Sequence, residues 1–230
     1  MLWHKGWLET RFRLCMVLGF MCLILFLWHS LPPGDKTPAL GLVQYTNPSF
    51  VVMICALLAG AGIATQPSFQ ATKGLHGSTL FTLSLPVSRF RLLATRASIG
   101  WFEGAVAIGA LCWGMWLVSP ALRATVTPFE IFEYAGTLIA CASALYFLSV
   151  LLATFLDDQW RVWGTMVASL ALLWLSSRTP LPTSANIFQA MGKGSPLIAH
   201  TMPWTAMAFS LGLAAFLFFA ALKVVKTREY

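Results

Sequence analysis

The sequence predicts an all-α, polytopic membrane protein with about six transmembrane helices, the number that bilayer-length apolar blocks allow. Three observations predict it. Only 10% of the 230 residues are charged while 58% are apolar, and a soluble domain has about a quarter of its residues charged. The apolar residues form continuous blocks rather than the alternating strands a barrel requires. The basic residues gather in alternate connections, the pattern that sets the orientation of a chain threading back and forth across a membrane.

The helices are expected at 14–31, 50–69, 97–119, 132–156, 160–177 and 203–222, together one transmembrane domain over residues 1–230. A hydrocarbon core about 30 Å thick needs about 20 helical residues. The fifth block, uncharged from Val162 to Ser177, borrows residues from its flanks. The first block holds ten Leu, Ile, Val or Phe residues, each worth about −0.3 to −0.6 kcal/mol at a helix centre. No charge opposes them. Trp28-His29-Ser30-Leu31-Pro32-Pro33 offers no small-x-small cleavage site, so this block is expected to be an uncleaved helix rather than a signal peptide. The preceding stretch from Trp3 to Arg13 mixes aromatic and basic residues. It suits either a segment lying at the interface or a solvated topology signal.

A net charge of +7 raises nucleic acid as a partner, but the placement of the charge excludes it. With the N-terminus cytoplasmic, that side holds Lys5, Arg11, Arg13, Lys73, Arg89, Arg91, Arg96, Arg161, Lys223, Lys226 and Arg228. The opposite side holds Lys36, Arg123, Arg178 and Lys193. The bias predicts an N-in, C-in orientation. Most of the ten tryptophans, Trp101 among them, fall near expected helix ends, where an amphipathic ring suits the headgroup region.

The five cysteines, Cys15, Cys22, Cys55, Cys112 and Cys141, have no metal-ligand or redox spacing and read as small packing residues. His29 and His200 lack a third ligand at a recognisable spacing. The outer loop from Arg178 to Met202 is rich in turn formers, with Pro203 suited to the first turn of the last helix and Thr201 to its cap. Within that loop, Met191-Gly192-Lys193-Gly194-Ser195 lacks the spacing of a phosphate-binding loop. No paired reactive side chains are visible within the spans. The chain is therefore expected to bind no cofactor or metal and to be no enzyme by itself.

The informative segment is the cytoplasmic stretch from Gln66 to Arg96. Leu75, Leu80, Phe81, Leu83 and Leu85 suit an interfacial position. Pro86 ends any helix there, because it lacks an N–H and disfavours helical geometry at Leu85. Ser88 is a natural N-cap for a helix beginning at Arg89. A helix, a sharp stop and a capped restart form a rigid elbow leading into a span.

Leu83-Ser84-Leu85-Pro86-Val87-Ser88-Arg89, preceded by Gly77-Ser78-Thr79, resembles the cytoplasmic loop of permease subunits of type-2 ATP-binding-cassette (ABC) exporters. The alternation of Trp, Lys, Glu and Arg over residues 3 to 11 and the six-helix layout are similar to that family as well. The resemblance implies a coupling loop in which Gly74, Gly77, Ser78, Leu85, Pro86, Ser88 and Arg89 meet a separate ATPase subunit. That subunit would bind ATP and Mg. A second permease chain, identical or related, would complete a dimer in the lipid bilayer of a bacterial-type plasma membrane. Many relatives carry an acid before the glycine step, whereas this chain has Gln70, Lys73 and His76 and no acid from Gln66 to Arg96. The alternatives are a secondary transporter and a non-transporting membrane scaffold.

Glu103 is the only carboxylate well inside an expected span, about 10 Å along the axis from Arg96. It reads either as a pathway or subunit contact or as an interfacial carboxylate reaching back to basic groups near Arg96. Glu130 and Glu133 are expected just before the fourth helix, favouring its dipole. In the family a short helical element precedes this span, and Pro128-Phe129-Glu130 would fit it. Asp157 and Asp158 are expected to begin the fifth helix rather than to contact the ATPase.

Overall fold

The computed structural model describes residues 2–30, 38–46, 48–59, 88–156, 158–178 and 186–227, and among them every regular element is a helix. In chain order these are α1 (Leu2–Ser30), α2 (Pro38–Tyr45), α3 (Pro48–Leu58), α4 (Arg89–Val118), α5 (Pro120–Thr125), α6 (Pro128–Leu152), α7 (Asp158–Arg178), α8 (Ile187–Met191), α9 (Pro196–Ala199) and α10 (Trp204–Thr227).

Among the described residues four stretches are long and apolar enough to cross a membrane: Pro38–Leu58, Leu93–Val118, Pro128–Leu152 and Trp204–Thr227. The chain therefore has the helices of a membrane protein. Helix α1 carries a shorter apolar stretch, Leu14–Phe26. Its helical geometry begins at Leu2, so the aromatic and basic stretch is a direct extension of the apolar block.

Where the sequence predicts a span at 50–69, the candidate span is Pro38–Leu58, nearer the N-terminus. It takes in α2 and α3, while residues 60–69 fall outside the described residues. Polar Gln44, Thr46 and Asn47 interrupt the apolar run and disguise α2 as loop. Thr46 satisfies itself inside the bundle, its hydroxyl bonding the Leu42 carbonyl at 2.8 Å and meeting the Tyr134 hydroxyl. Pro48 then opens α3 at a position where a missing N–H is tolerated.

Helix α4 starts at Arg89 under a Ser88 cap, whose side chain accepts from the Arg91 N–H. The start, eight residues before 97, is where the cap argument puts it. Helix α6 begins at Pro128, so Pro128-Phe129-Glu130 is its first turn rather than a separate element. Thr127 and Glu130 form a capping box there, each satisfying a backbone donor of the other's segment. The short helix that precedes the span is α5. Thr201 makes no cap; α10 starts at Trp204, and the Pro203 carbonyl accepts from the Met207 N–H at 3.0 Å.

Helix α6 is the axis of the bundle. Two thirds of its apolar window (67%) is buried, against 22% for α10. Helices α3, α4, α7 and α10 all pack on it. Small residues permit the close approach, as helix packing in lipid requires. Ala140, Cys141, Ala142, Ser143 and Ala144 are buried on α6, and Ala206, Ser210 and Ala214 are buried on α10, the helix that packs on it most extensively. Ser210 also donates across that interface to the Cys141 carbonyl at 2.9 Å.

The described part of the connection between α7 and α10, residues 186–203, is a packed cap. Ile187, Phe188, Met191, Pro196 and Leu197 are buried, and α8 and α9 rest on α6.

Candidate functional site

The fold brings four helix ends together. At one end of the bundle α3 finishes, α4 begins, α6 finishes and α7 begins. Residues 60–87, which connect Ala59 to Ser88, are therefore anchored on both sides at that end. Gly74, Gly77, Ser78, Leu85 and Pro86 lie outside the described residues. Ser88 is exposed at the start of α4, and Arg89 is the first residue with helical backbone.

Beneath this end lies a buried polar cluster. Tyr146 of α6 donates to the Ala97 carbonyl of α4 at 2.9 Å. Trp101 donates from Nε1 to the Ser143 hydroxyl at 3.0 Å. The expected position of Trp101 at a helix end is thereby corrected: with α4 starting at Arg89, its ring sits three turns in. Gly100 lets the helices touch. A Cβ there would stand 2.5 Å from the Tyr146 hydroxyl and 2.9 Å from the Leu58 carbonyl, closer than side-chain carbons approach.

Glu103 is one turn further along α4 and 2% exposed. Arg161 of α7 is fully buried, although the sequence places it among the cytoplasmic topology charges. Arg161 and Glu103 each engage a partner within the fold. A charge buried in a low-dielectric interior is costly unless such a partner offsets it.

Helix α7 explains how an arginine comes to be inside. Arg161, Thr165 and Ser169 are buried, at i, i+4 and i+8 on one face. Trp160, Trp163, Val167, Leu170 and Trp174 are exposed on the other. The helix is inside out, its polar stripe turned to the protein and its apolar stripe outward. The Thr165 hydroxyl lies 2.9 Å from both the Ser149 hydroxyl of α6 and the Arg161 carbonyl. Sequence reasoning missed Arg161 and Tyr146 as site residues. The i, i+4, i+8 polar stripe is the signal that could have found the arginine; Tyr146 had none.

Among the described residues no three His, Cys, Asp or Glu side chains are grouped to hold a metal ion. Glu130 and Glu133 belong to the first turns of α6 at the other end of that helix. Asp158 opens α7, and Asp157 lies outside the described residues. Comparison with known proteins finds no matching family model, no matching curated protein and no matching solved structure.

Proposed function

We propose that the chain is the permease subunit of an ATP-driven exporter of the type-2 ABC class, driven by a separate ATPase and working as a dimer. One observation carries this reading: Ser88, within the Leu83–Arg89 motif, caps α4, which begins at Arg89 and runs unbroken to Val118. A push on the preceding loop acts on the end of a stiff rod. That rod touches α3 and α6 at Gly100 and bonds Tyr146 at Ala97. Because packed interfaces shift between discrete arrangements rather than bending continuously, a small displacement of α4 moves the bundle as a unit. Glu103 and Arg161 lie at this joint, where they favour one arrangement by charge.

Six spans with both termini cytoplasmic fit this assignment. What supports the two additional crossings is the Leu14–Phe26 stretch of α1 and the outward apolar face of α7. The bacterial-type plasma membrane and the absence of catalytic, cofactor and metal chemistry in the chain itself belong to the same proposal.

The test is the double variant Pro86→Ala with Ser88→Ala, reconstituted with the ATPase. ATP hydrolysis is expected to continue while transport is lost, with membrane insertion unchanged. Coupling as tight as in the wild type counts against the proposal. A secondary transporter is the second reading, favoured by the two buried charges, since intramembrane ionisable groups mark ion pathways. Transport driven by a proton gradient with no ATPase present would establish it, and Glu103→Gln would then abolish that flux.

A further inference from the structure

Helices α4, α6 and α10 enclose a groove of about 230 Å³ that opens at the outer surface of the bundle. Ala94, Ala97, Ser98 and Trp101 line it from α4, Phe147 from α6 and Phe218 from α10. The four α4 residues stand at i, i+3, i+4 and i+7, a single helical face. The polar groups in the wall are already satisfied: the Ser98 hydroxyl donates to the Thr95 carbonyl at 2.9 Å and Trp101 to Ser143 at 3.0 Å. A cleft whose hydrogen-bonding capacity is spent takes hydrocarbon rather than water.

One end of the groove is aromatic. Phe90 meets Phe218 edge-on with centroids 6.3 Å apart, and Phe218 meets Phe147 at 5.7 Å. The Phe90 contact places the start of α4 beside the last turns of α10. From Phe90 to Trp101 the helix rises about 16 Å, close to the half-thickness of a hydrocarbon core about 30 Å across. Among the described residues, the charged side chains in the first turn of α4 and the last turns of α10 are basic. Arg91, Lys223 and Lys226 are exposed, and residues 88–102 and 204–227 contain no acid. The positive end of the α4 dipole adds to them.

We propose that this groove binds an anionic phospholipid of the surrounding bilayer. One acyl chain occupies the groove, and the phosphate sits among Arg91, Lys223 and Lys226. The site requires only that these helices lie in a membrane and is independent of the exporter reading. It makes α4 responsive to the lipid composition of one leaflet.

Trp101 supplies the probe. The full chain is reconstituted in vesicles of phosphatidylcholine containing brominated phosphatidylglycerol or, separately, brominated phosphatidylcholine at equal mole fraction. The difference between wild type and Trp101→Phe isolates the quenching of this ring. A preference of about fivefold for the anionic lipid is expected, the effect of one basic side chain near an anionic phosphate. Arg91→Gln with Lys223→Gln and Lys226→Gln is expected to remove the preference but leave quenching by both lipids. Ser98→Phe, which fills the groove, is expected to remove quenching by both while the thermal unfolding midpoint is retained. Equal quenching by the two lipids in the wild type overturns the anionic site. Absence of any Trp101-dependent quenching overturns the groove as a lipid site altogether.

Discussion

Gly100 and Arg161 show how much rests on single positions. At Gly100 a methyl group has nowhere to go, because the Tyr146 hydroxyl and the Leu58 carbonyl already occupy its place. Gly100→Ala is expected to cost about 1–3 kcal/mol through forced separation of the helices. Gly109, where an added methyl would meet nothing within 4 Å, is the control: Gly109→Ala is expected to stabilise by up to about 1 kcal/mol through helix propensity. Thermal unfolding of the two variants in the same detergent checks the pair, and equal midpoints would contradict the close contact. If Glu103 is the partner of buried Arg161, Arg161→Met is expected to lose about 3–5 kcal/mol by leaving that carboxylate uncompensated. Combined with Glu103→Gln, the loss should be smaller than the sum by at least about 0.5 kcal/mol. Strict additivity would show that the two charges act separately. Neither residue's role was legible beforehand. A glycine's neighbours are distant in sequence, and Arg161 looks like a loop charge until α3 and α6 close over it.

At the level of elements, the two helix starts that sequence chemistry could specify differ in what they reveal. The Ser88 cap was legible because it is local: a side chain three residues from the amide it accepts, after a proline that ends what precedes it. Ser88→Ala is expected to cost about 1 kcal/mol. Hydrogen exchange at the first amides of α4 should quicken by a corresponding factor of about five, and unchanged exchange would mean the cap holds nothing. The true start of α6 was not legible in the apolar pattern, since Pro128-Phe129-Glu130 reads as a separate short element until the Thr127 and Glu130 box is seen to close. Helix α7 is a third case. Its mean apolarity is diluted by a polar stripe that the tertiary structure turns inward, so composition alone understates its fitness for lipid. Cysteines at Val167 and Leu170 should label with a lipid-soluble maleimide, whereas cysteines at Thr165 and Ser169 should be protected. The reverse pattern would place α7 the other way round.

Across the described residues, the bundle is arranged around α6, with Ala59 and Ser88 at the end that holds the buried cluster. In the proposed topology α10 carries the chain from the packed cap of α8 and α9 back across the membrane. A reporter inserted at Lys193 and one fused after Tyr230 should then register opposite sides; the same side for both would remove that crossing. The apolar blocks, the helical class and the capped beginning at Arg89 were determined by the sequence itself, because lipid demands continuous apolar helices and a cap needs only its neighbours in the chain. Which polar groups are buried, that a candidate span lies at Pro38–Leu58, and that Glu103 and Arg161 are turned into the bundle were decided only by the tertiary structure. Burial and charge proximity depend on residues tens of positions apart, and nothing local in the chain encodes that distance.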